Sequence, residues 1–211
     1  MRRLALSWLA FAFAVAHARA DDLETRVATM ARVGSCSSPT FSPDGTRLAF
    51  VSNLSGQPQV WTVPSAGGFP SLATPFDEPV GAVTWSPDGA WLAVTSAPGG
   101  GMNEQVWLVR PDGTGPKRLT PGGKETNRLS GFTRDGRRLR LATNSRTGSS
   151  IDAYLLDVAT GAVTSATTGP GINGYTDVSR DGRRAVLVRL VSRGDNDRFL
   201  VDGICVLREA R

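Results

Sequence analysis

Four aspartates recur along the chain at nearly equal spacing, and such a set could do chemistry if the fold brought the carboxylates face to face. Paired carboxylates act as general acids and bases, and clusters of them hold divalent cations. Each of the four is followed by glycine and stands two residues after Ser or Thr. The motif residues that we assign to structural repeat turns are Pro43, Asp44, Gly45, Pro87, Asp88, Gly89, Asp135, Gly136, Asp181 and Gly182.

Each motif has the composition of a tight turn. Proline presets φ at the first corner in two of the copies, at Pro43 and Pro87. The aspartate side chain bonds forward to backbone N–H groups, and the glycine supplies the positive φ that closes the turn. We therefore predict that these carboxylates shape turns, and we assign no catalytic, cofactor-binding or metal-binding residue.

The 211-residue chain contains one histidine, His17, although most acyl-transfer triads and zinc sites depend on histidine. The chain begins with basic residues and continues with an apolar run over 4–16. His17 follows this run and precedes a small-x-small segment at 18–20. These are the parts of a secretory signal peptide; the alternative is a buried N-terminal helix. Cleavage after Ala20 would leave no histidine and would exclude the familiar hydrolytic triad.

Cleavage would also remove Arg2, Arg3 and Arg19, so the formal net charge would fall from +5 to +2. The other arginines stand singly or in pairs without interleaved aromatics, which argues against a nucleic-acid partner. A bilayer span needs about 20 apolar residues, and nothing after residue 20 resembles one. We expect an exported protein, periplasmic or secreted, with no membrane span.

The Asp-Gly motif belongs to an internal repeat whose copies start at 41, 85, 132 and 178. Spacings of 44, 47 and 46 residues with strand-like segments are typical of β-propeller blades. After each turn comes one strand, then a second at 59–63, 105–109 and 152–156, then a third near 72, 119 and 167. With the segment before the turn, each unit has four antiparallel strands. The predicted fold is an all-β propeller of about four blades.

We divide the chain into a signal peptide (1–20), an N-terminal helix and linker (21–36) and the propeller (37–211). The predicted blades lie at about 37–74, 80–120, 127–168 and 174–211. Apolar side chains at helical spacing predict the short helix over 21–33. The last blade lacks an outer strand and is predicted to be incomplete. The chain could therefore be a truncated or frameshifted propeller, or it could be a four-bladed ring.

Three further features have competing interpretations. Cys36 and Cys205 could pair in an oxidising compartment, but two distant cysteines are no disulfide framework. The acidic cluster at 195–197 lacks the glycine and distal glutamate of a calcium loop, which favours a solvated hairpin tip. Four tryptophans are predicted to pack between blades rather than to form an aromatic ligand platform: Trp61, Trp85, Trp91 and Trp107.

The Ser-Pro-Asp-Gly-x-x-Leu-Ala repeat resembles the TolB-type, PD40 class of WD40-like propellers. Longer runs resemble the N-terminal propeller of exported prolyl-oligopeptidase-family (S9) serine peptidases: 31–34, 60–64, 108–115, 122–125, 155–161 and 177–184. In that family the propeller restricts entry to an α/β-hydrolase domain, which holds the whole catalytic Ser-Asp-His set. No Gly-x-Ser-x-Gly elbow occurs in this sequence.

The resemblance implies a non-catalytic, substrate-gating or interaction module of an exported S9-type peptidase, here truncated. Its partners would be peptides, a protein partner or a hydrolase domain, and no cofactor is expected. The alternative is an autonomous TolB-like periplasmic scaffold that binds proteins. A third hypothesis is an enzyme or metal-dependent lectin that uses loop carboxylates, for which 195–197 is the tight acidic cluster.

Overall fold

The computed structural model describes residues 24–25, 34–167, 169–179, 181 and 183–202. The predicted signal peptide, most of the predicted leading helix, Gly182 and Cys205 lie outside these residues. The chain divides into two compact units, Met1–Ser35 and Cys36–Arg211, and the strands belong to the second. Within the described part, no helix is long and apolar enough to cross a bilayer.

The described strands form four antiparallel sheets in which every strand pairs with the next along the chain. The first sheet contains β1 (Cys36–Phe41), β2 (Arg47–Ser52), β3 (Gln59–Pro64) and β4 (Ser71–Leu72). The second contains β5 (Val80–Trp85), β6 (Leu92–Ser96), β7 (Gln105–Val109) and β8 (Lys117–Arg118). The third contains β9 (Asn127–Phe132), β10 (Arg138–Thr143), β11 (Asp152–Asp157) and β12 (Val163–Ser165). The fourth contains β13 (Ile172–Val178), β14 (Arg184–Ser192) and β15 (Asp195–Asp202).

In such a meander, successive connections alternate between the two ends of the strands. The Asp-Gly turns and the connections between third and fourth strands lie at the same end of the strands, which we call the turn edge. Ser65 N–H donates to Thr46 O over 2.8 Å, which ties two such connections together in the first sheet. The loops between second and third strands and the linkers between sheets lie at the opposite edge, which we call the loop edge.

The hydrophobic core lies between successive sheets. One cluster joins Ala49, Val51 and Val60 of the first sheet to residues of the second such as Leu92 and Val94. Two further clusters join the second sheet to the third and the third sheet to the fourth. The second sheet packs on both faces, and its strand β6 is therefore buried at all five positions.

One main-chain hydrogen bond repeats at all three junctions between sheets. A backbone N–H near the start of the first strand of one sheet donates to a carbonyl that precedes the third strand of the previous sheet. The donors are Val80, Asn127 and Asn173. The acceptors are Pro58, Glu104 and Ile151, at 2.8, 2.9 and 2.7 Å. Each junction is therefore specified by the same backbone contact as well as by apolar packing.

The predicted fold class, an all-β propeller with four-stranded antiparallel blades and a shorter last blade, is confirmed. The fourth sheet has three strands within the described residues. Sheets contact one another in chain order, and the described sheets form an open arc rather than a closed ring.

Candidate interaction surfaces

The four Asp-Gly turns share one hydrogen-bond pattern. In each, Oδ1 of the aspartate accepts a backbone N–H two residues later, at 3.0–3.1 Å. The same oxygen accepts the hydroxyl two residues earlier, at 2.5–2.6 Å. That hydroxyl oxygen in turn accepts the N–H five residues after it. Glycine closes the described turns at φ of 69–70° in Gly45, Gly89 and Gly136.

These contacts stabilise the ionised carboxylates. The hydroxyl of Ser42 is the main cause that lowers the pKa of Asp44 to about 2, and backbone and side-chain bonds from Thr46 add to it. The hydroxyl two residues earlier is also the main cause that lowers the pKa values of Asp88, Asp135 and Asp181. A carboxylate that accepts several hydrogen bonds stays ionised near neutral pH and has no proton to donate. The turns are therefore suited to structure and not to general acid catalysis.

Successive turns touch one another along the turn edge. A Cβ added at Gly89 would lie 3.7 Å from Pro43 Cδ, and one added at Gly136 would lie 3.5 Å from Pro87 Cδ. The proline of one turn therefore packs against the glycine of the next. The turns line up as a row, but each carboxylate bonds within its own turn. In the described part of the chain, no three His, Cys, Asp or Glu side chains group closely enough to hold a metal ion.

A cleft of about 400 Å³ opens at the loop edge, between the second and third sheets. Its walls come from the starts of β5 and β9 and from the loop between β6 and β7. Its lining residues are Pro79, Val80, Gly81, Ala97, Gly100, Gly101, Met102, Glu104, Thr126 and Arg128. It therefore combines two opposite charges with apolar side chains at a place where loops from two sheets meet.

Because Gly81 has no side chain, the Glu104 carboxylate can lie directly against it in the cleft wall. A Cβ at Gly81 would lie 2.5 Å from Glu104 Oε1 and 3.1 Å from Thr95 Oγ1, so a larger residue would displace the carboxylate. The glycine-rich loop is fixed as well, because Gly99 N–H donates to Glu78 Oε1 over 2.8 Å. The close contact between Gly81 and Glu104 and the hydrogen bond from Gly99 to Glu78 thus hold the wall of the cleft in place.

The floor of the cleft rests on a buried polar network. Asn127 Nδ2 donates to Glu104 O and to Gln105 Oε1, each over 3.2 Å. Gln105 Nε2 donates to Glu125 O over 2.9 Å, and Thr120 Oγ1 donates to Gln105 Oε1 over 2.7 Å. Satisfied buried networks of this kind hold neighbouring elements in one arrangement, so the cleft has a preformed base.

The other sequence predictions concern single residues. Trp85 is buried between the first two sheets, and Trp91 and Trp107 pack half-buried against core clusters. Asp195 pairs with Ser192 across the tip of the β14–β15 hairpin, and the described residues of 195–197 are exposed. Cys36 is exposed and has no disulfide partner among the described residues. The predicted partner residue Cys205 lies outside the described residues, so their pairing stays a prediction.

Sequence reasoning did not identify the charged residues of the cleft, Glu104 and Arg128, and it assigned no role to the hydroxyl residues that hold the turns. The hydroxyl residues had a signal, because Ser42, Ser86, Thr133 and Ser179 recur with the repeat period. Glu104 and Arg128 had none, because the last residue of a loop and the second residue of a strand meet only after two sheets have packed together.

Residues 38–201 match the family model described as the TolB beta propeller domain, PD40. A TolB homologue of Chlorobium chlorochromatii (strain CaD3) is 33% identical over 144 residues, which are 68% of this chain and 31% of the relative. The crystal structure of TolB from Acinetobacter baumannii superposes with a TM-score of 0.64 at 25% identity, over 80% of this chain and 41% of that one.

A peptidase propeller is similar in fold. Porphyromonas gingivalis dipeptidyl peptidase 4 gives a TM-score of 0.59 at 18% identity, over 74% of this chain and 22% of that one. At this identity the likeness establishes the fold alone. The chain spans about a third of the length of the curated relative and less than half of each of these two structures. The match over 38–201 and the identity to the curated relative establish the family: the chain belongs to the TolB-type, PD40 β-propellers.

Proposed function

We propose that the chain is the propeller of an exported, non-catalytic scaffold of the TolB kind and that it binds a protein partner along its loop edge. The observation that carries this proposal is the match of residues 38–201 to the TolB propeller domain. Because one fold hosts many functions, a proposal of function also needs a surface. The loop edge supplies that surface.

The loop edge supports protein binding through its cleft and its exposed apolar tips. Met102, at the cleft between the second and third sheets, is 92% exposed, and Leu54 in the corresponding loop of the first sheet is 54% exposed. Methionine is a flexible apolar contact at binding surfaces, and interfaces surround such contacts with polar groups. Glu104 and Arg128 place both signs of charge beside Met102. A partner with an apolar anchor and complementary charges would fit this cleft.

Export is proposed from the N-terminal sequence. The basic start, the apolar run and the small residues before Asp21 match a signal peptide. Signal peptidase would cut between Ala20 and Asp21. N-terminal sequencing of the periplasmic product, recovered from cells that express the full chain, would find Asp21 first. Recovery of the uncut chain in the cytoplasm would contradict export.

A second candidate is the substrate-gating propeller of an S9-type serine peptidase, with the hydrolase in another part of a longer protein or in a partner. The sequence runs at 108–115, 155–161 and 177–184 favour it. The two candidates differ in the identity of the partner. A scaffold binds envelope proteins, whereas a gating module binds an α/β-hydrolase domain with a Gly-x-Ser-x-Gly elbow.

Site-specific photo-crosslinking in living cells tests both candidates. A photoreactive amino acid replaces Met102 at the cleft, and a matched variant carries it at Phe69, which is 89% exposed in the connection between β3 and β4. We expect a discrete cross-linked protein from position 102 and none from position 69. The double variant Glu104→Ala with Arg128→Ala should reduce the cross-link at least tenfold.

The identity of the cross-linked protein separates the candidates. An envelope protein without hydrolase motifs supports the scaffold, and a hydrolase supports the gating module. Equal cross-linking from positions 69 and 102 would contradict the loop edge as the binding surface. Hydrolysis of prolyl-peptide substrates by the purified chain, lost on denaturation, would overturn the non-catalytic proposal.

A further inference from the structure

Arginine is unevenly distributed over the four Asp-Gly turns. Three positions of each turn differ between the copies: the residue before the aspartate and the two residues after the glycine. In the first turn they are Pro43, Thr46 and Arg47, and in the second they are Pro87, Ala90 and Trp91. In the third turn they are Arg134, Arg137 and Arg138, and in the fourth they are Arg180, Arg183 and Arg184. These positions therefore change from mostly uncharged to fully basic between the second sheet and the third.

The row of turns places Arg134 beside the fourth turn. At the first two junctions the proline of one turn packs against the glycine of the next, and Arg134 has the position of that proline. The third and fourth sheets are in contact through β10, β11 and β13, so the same order of turns holds at their junction. Arginines that are distant in the sequence therefore lie at neighbouring places on the turn edge.

The guanidinium groups at this place are exposed. We define the arginine patch as Arg134, Arg137, Arg138 and Arg183, all of which are exposed. None of the four forms an ion pair with a carboxylate of the described residues. Arg137 stays exposed although the fourth sheet packs on the third, because it lies at the ends of the strands and not on a sheet face. Arg183 has the same position in its turn, so a sheet packed beside the fourth would leave it exposed as well.

Three carboxylates lie among these arginines, at Asp135, Asp157 and Asp181. Hydrogen bonds within their own turns are the main cause that lowers their pKa values, and the charges of neighbouring arginines add to the effect. They therefore stay ionised near neutral pH. A uniformly anionic surface, such as a bilayer or a nucleic acid, would bring its charges against these carboxylates as well as against the arginines. A protein segment can place separate carboxylates opposite the guanidinium groups alone.

We propose that the arginine patch binds a segment of a partner protein that presents several Asp or Glu side chains. Arginine suits this partner because its planar guanidinium donates two parallel hydrogen bonds to the two oxygens of one carboxylate. The proposal goes beyond the proposed function, since it concerns the turn edge of the third and fourth sheets and not the cleft at the loop edge. The chain would then carry two separate binding surfaces at opposite ends of its strands.

The first test measures binding of an acidic probe, a fluorescein-labelled peptide of alternating glutamate and glycine. Fluorescence anisotropy with the purified chain should show binding of this peptide and none of the matched glutamine–glycine peptide. Binding should weaken at least tenfold as the salt concentration rises from about 50 to about 300 mM, because exposed charges are screened. The triple variant Arg134→Gln, Arg137→Gln and Arg183→Gln should also bind at least tenfold more weakly. Its circular-dichroism spectrum should stay unchanged, since the three side chains are exposed.

The matched control removes the same charge outside the patch. The triple variant Lys117→Gln, Lys124→Gln and Arg193→Gln changes three exposed side chains and should bind the peptide within twofold of the wild type. Equal losses in the two triple variants would show that net charge alone acts, which would overturn the patch. Tighter binding to phosphatidylglycerol vesicles or to duplex DNA than to the peptide at the same salt, lost in the patch variant, would overturn the choice of a protein partner.

The second test maps the contact in living cells with a photoreactive amino acid in place of Ala159. Ala159 is exposed in the β11–β12 connection, where Val158 N–H donates to Arg137 O, so the probe borders the patch without removing an arginine. The control position is Phe69, in the corresponding connection of the first sheet, whose turn has Thr46 in place of Arg137.

We expect a cross-link from position 159 that mass spectrometry maps to a segment of the partner rich in Asp and Glu. The patch variant should reduce this cross-link at least tenfold. No cross-link from position 159, an equal one from position 69, or one that maps to a segment without acidic side chains would each overturn the proposal. Cross-linking from position 102 reports on the loop edge, so the two proposed surfaces fail or hold separately.

Discussion

Arg146 and Asp152 form a charged pair that replaces a single glutamine of the preceding sheets. Arg146 Nε donates to Asp152 Oδ2 over 2.5 Å, and a terminal nitrogen of the same guanidinium donates to Asp152 Oδ1 over 3.1 Å. Asp152 is fully buried, and its carboxylate holds the pKa of Arg146 above the usual value, chiefly through the hydrogen bond. The pair stands at the start of β11, next to the linker to the fourth sheet.

The equivalent residues in the first two sheets are Gln59 and Gln105. Their side-chain amides donate to linker carbonyls, Phe76 O and Glu125 O, each over 2.9 Å. A carboxylate has no proton to donate, so in the third sheet Arg146 donates to Gly169 O instead, also over 2.9 Å. The arginine thus restores the donor that the change from glutamine to aspartate removes.

Arg146→Ala should destabilise the fold, because it leaves the buried carboxylate of Asp152 without its counter-charge. Urea unfolding followed by circular dichroism measures the loss. The double variant Arg146→Ala with Asp152→Gln should recover most of it, since the new amide can bond to the linker carbonyl as Gln59 does. A double variant as unstable as the single one would contradict the equivalence of the pair and the glutamine.

Asp44→Ala should lower the urea midpoint near neutral pH, with an effect that shrinks in acid. The folded state holds the pKa of Asp44 at about 2, below the unfolded value of 3.8. A carboxyl with a depressed folded pKa stabilises the fold above its unfolded pKa, and this stabilisation is lost as pH falls toward the folded pKa. The midpoints of wild type and variant should therefore differ at pH 6 and converge between pH 4 and pH 2.

The matched control for Asp44 is Asp77→Ala, which removes an exposed carboxylate outside the turns. Its urea midpoint should stay near that of the wild type at pH 6. Ser42→Ala should reproduce part of the Asp44 effect, because the Ser42 hydroxyl is the main cause of the depressed pKa. A difference between wild type and Asp44→Ala that persists unchanged to pH 2 would contradict the ionised turn.

The repeat and its turns could be predicted from the sequence because their causes are local. Proline, aspartate and glycine set the backbone over four residues, so Asp44 and Gly45 predict the turn without knowledge of the fold. The period of 44–47 residues then selects the propeller. These two steps predicted the fold class.

The residues that depend on packing between sheets could not be predicted in this way. Asp152 looks like an ordinary polar start of a strand, and its partner Arg146 comes from a loop whose path the sequence does not specify. The exposure of Leu200 likewise contrasts with its buried equivalent Leu155 only because no described sheet packs on the fourth one. Such contacts join elements that are separate in the repeat, so they become visible only with the sheets in place.

Gly136→Ala should cost about 1–2 kcal/mol of stability, because Gly136 has φ of 70° and alanine is strained in that region. Gly136→Asn should cost less, since asparagine tolerates the left-handed conformation better. Thermal unfolding measures both. Gly101→Ala is the matched control: it lies at φ of −77° with only one atom within 4 Å of the added Cβ, and it should be near neutral. Equal losses at 101 and 136 would contradict backbone strain as the cause.

Trp85→Ala should destabilise the junction of the first two sheets by about 3–5 kcal/mol, because it removes a buried indole between them. Trp85→Phe should lose only about 1 kcal/mol, the worth of the hydrogen bond to Thr40 O. Equilibrium unfolding in urea measures both. Phe69→Ala serves as the control, since its side chain is 89% exposed and should be within about 0.5 kcal/mol of wild type. If Trp85→Ala were as mild as Phe69→Ala, the buried indole would not hold the first two sheets together.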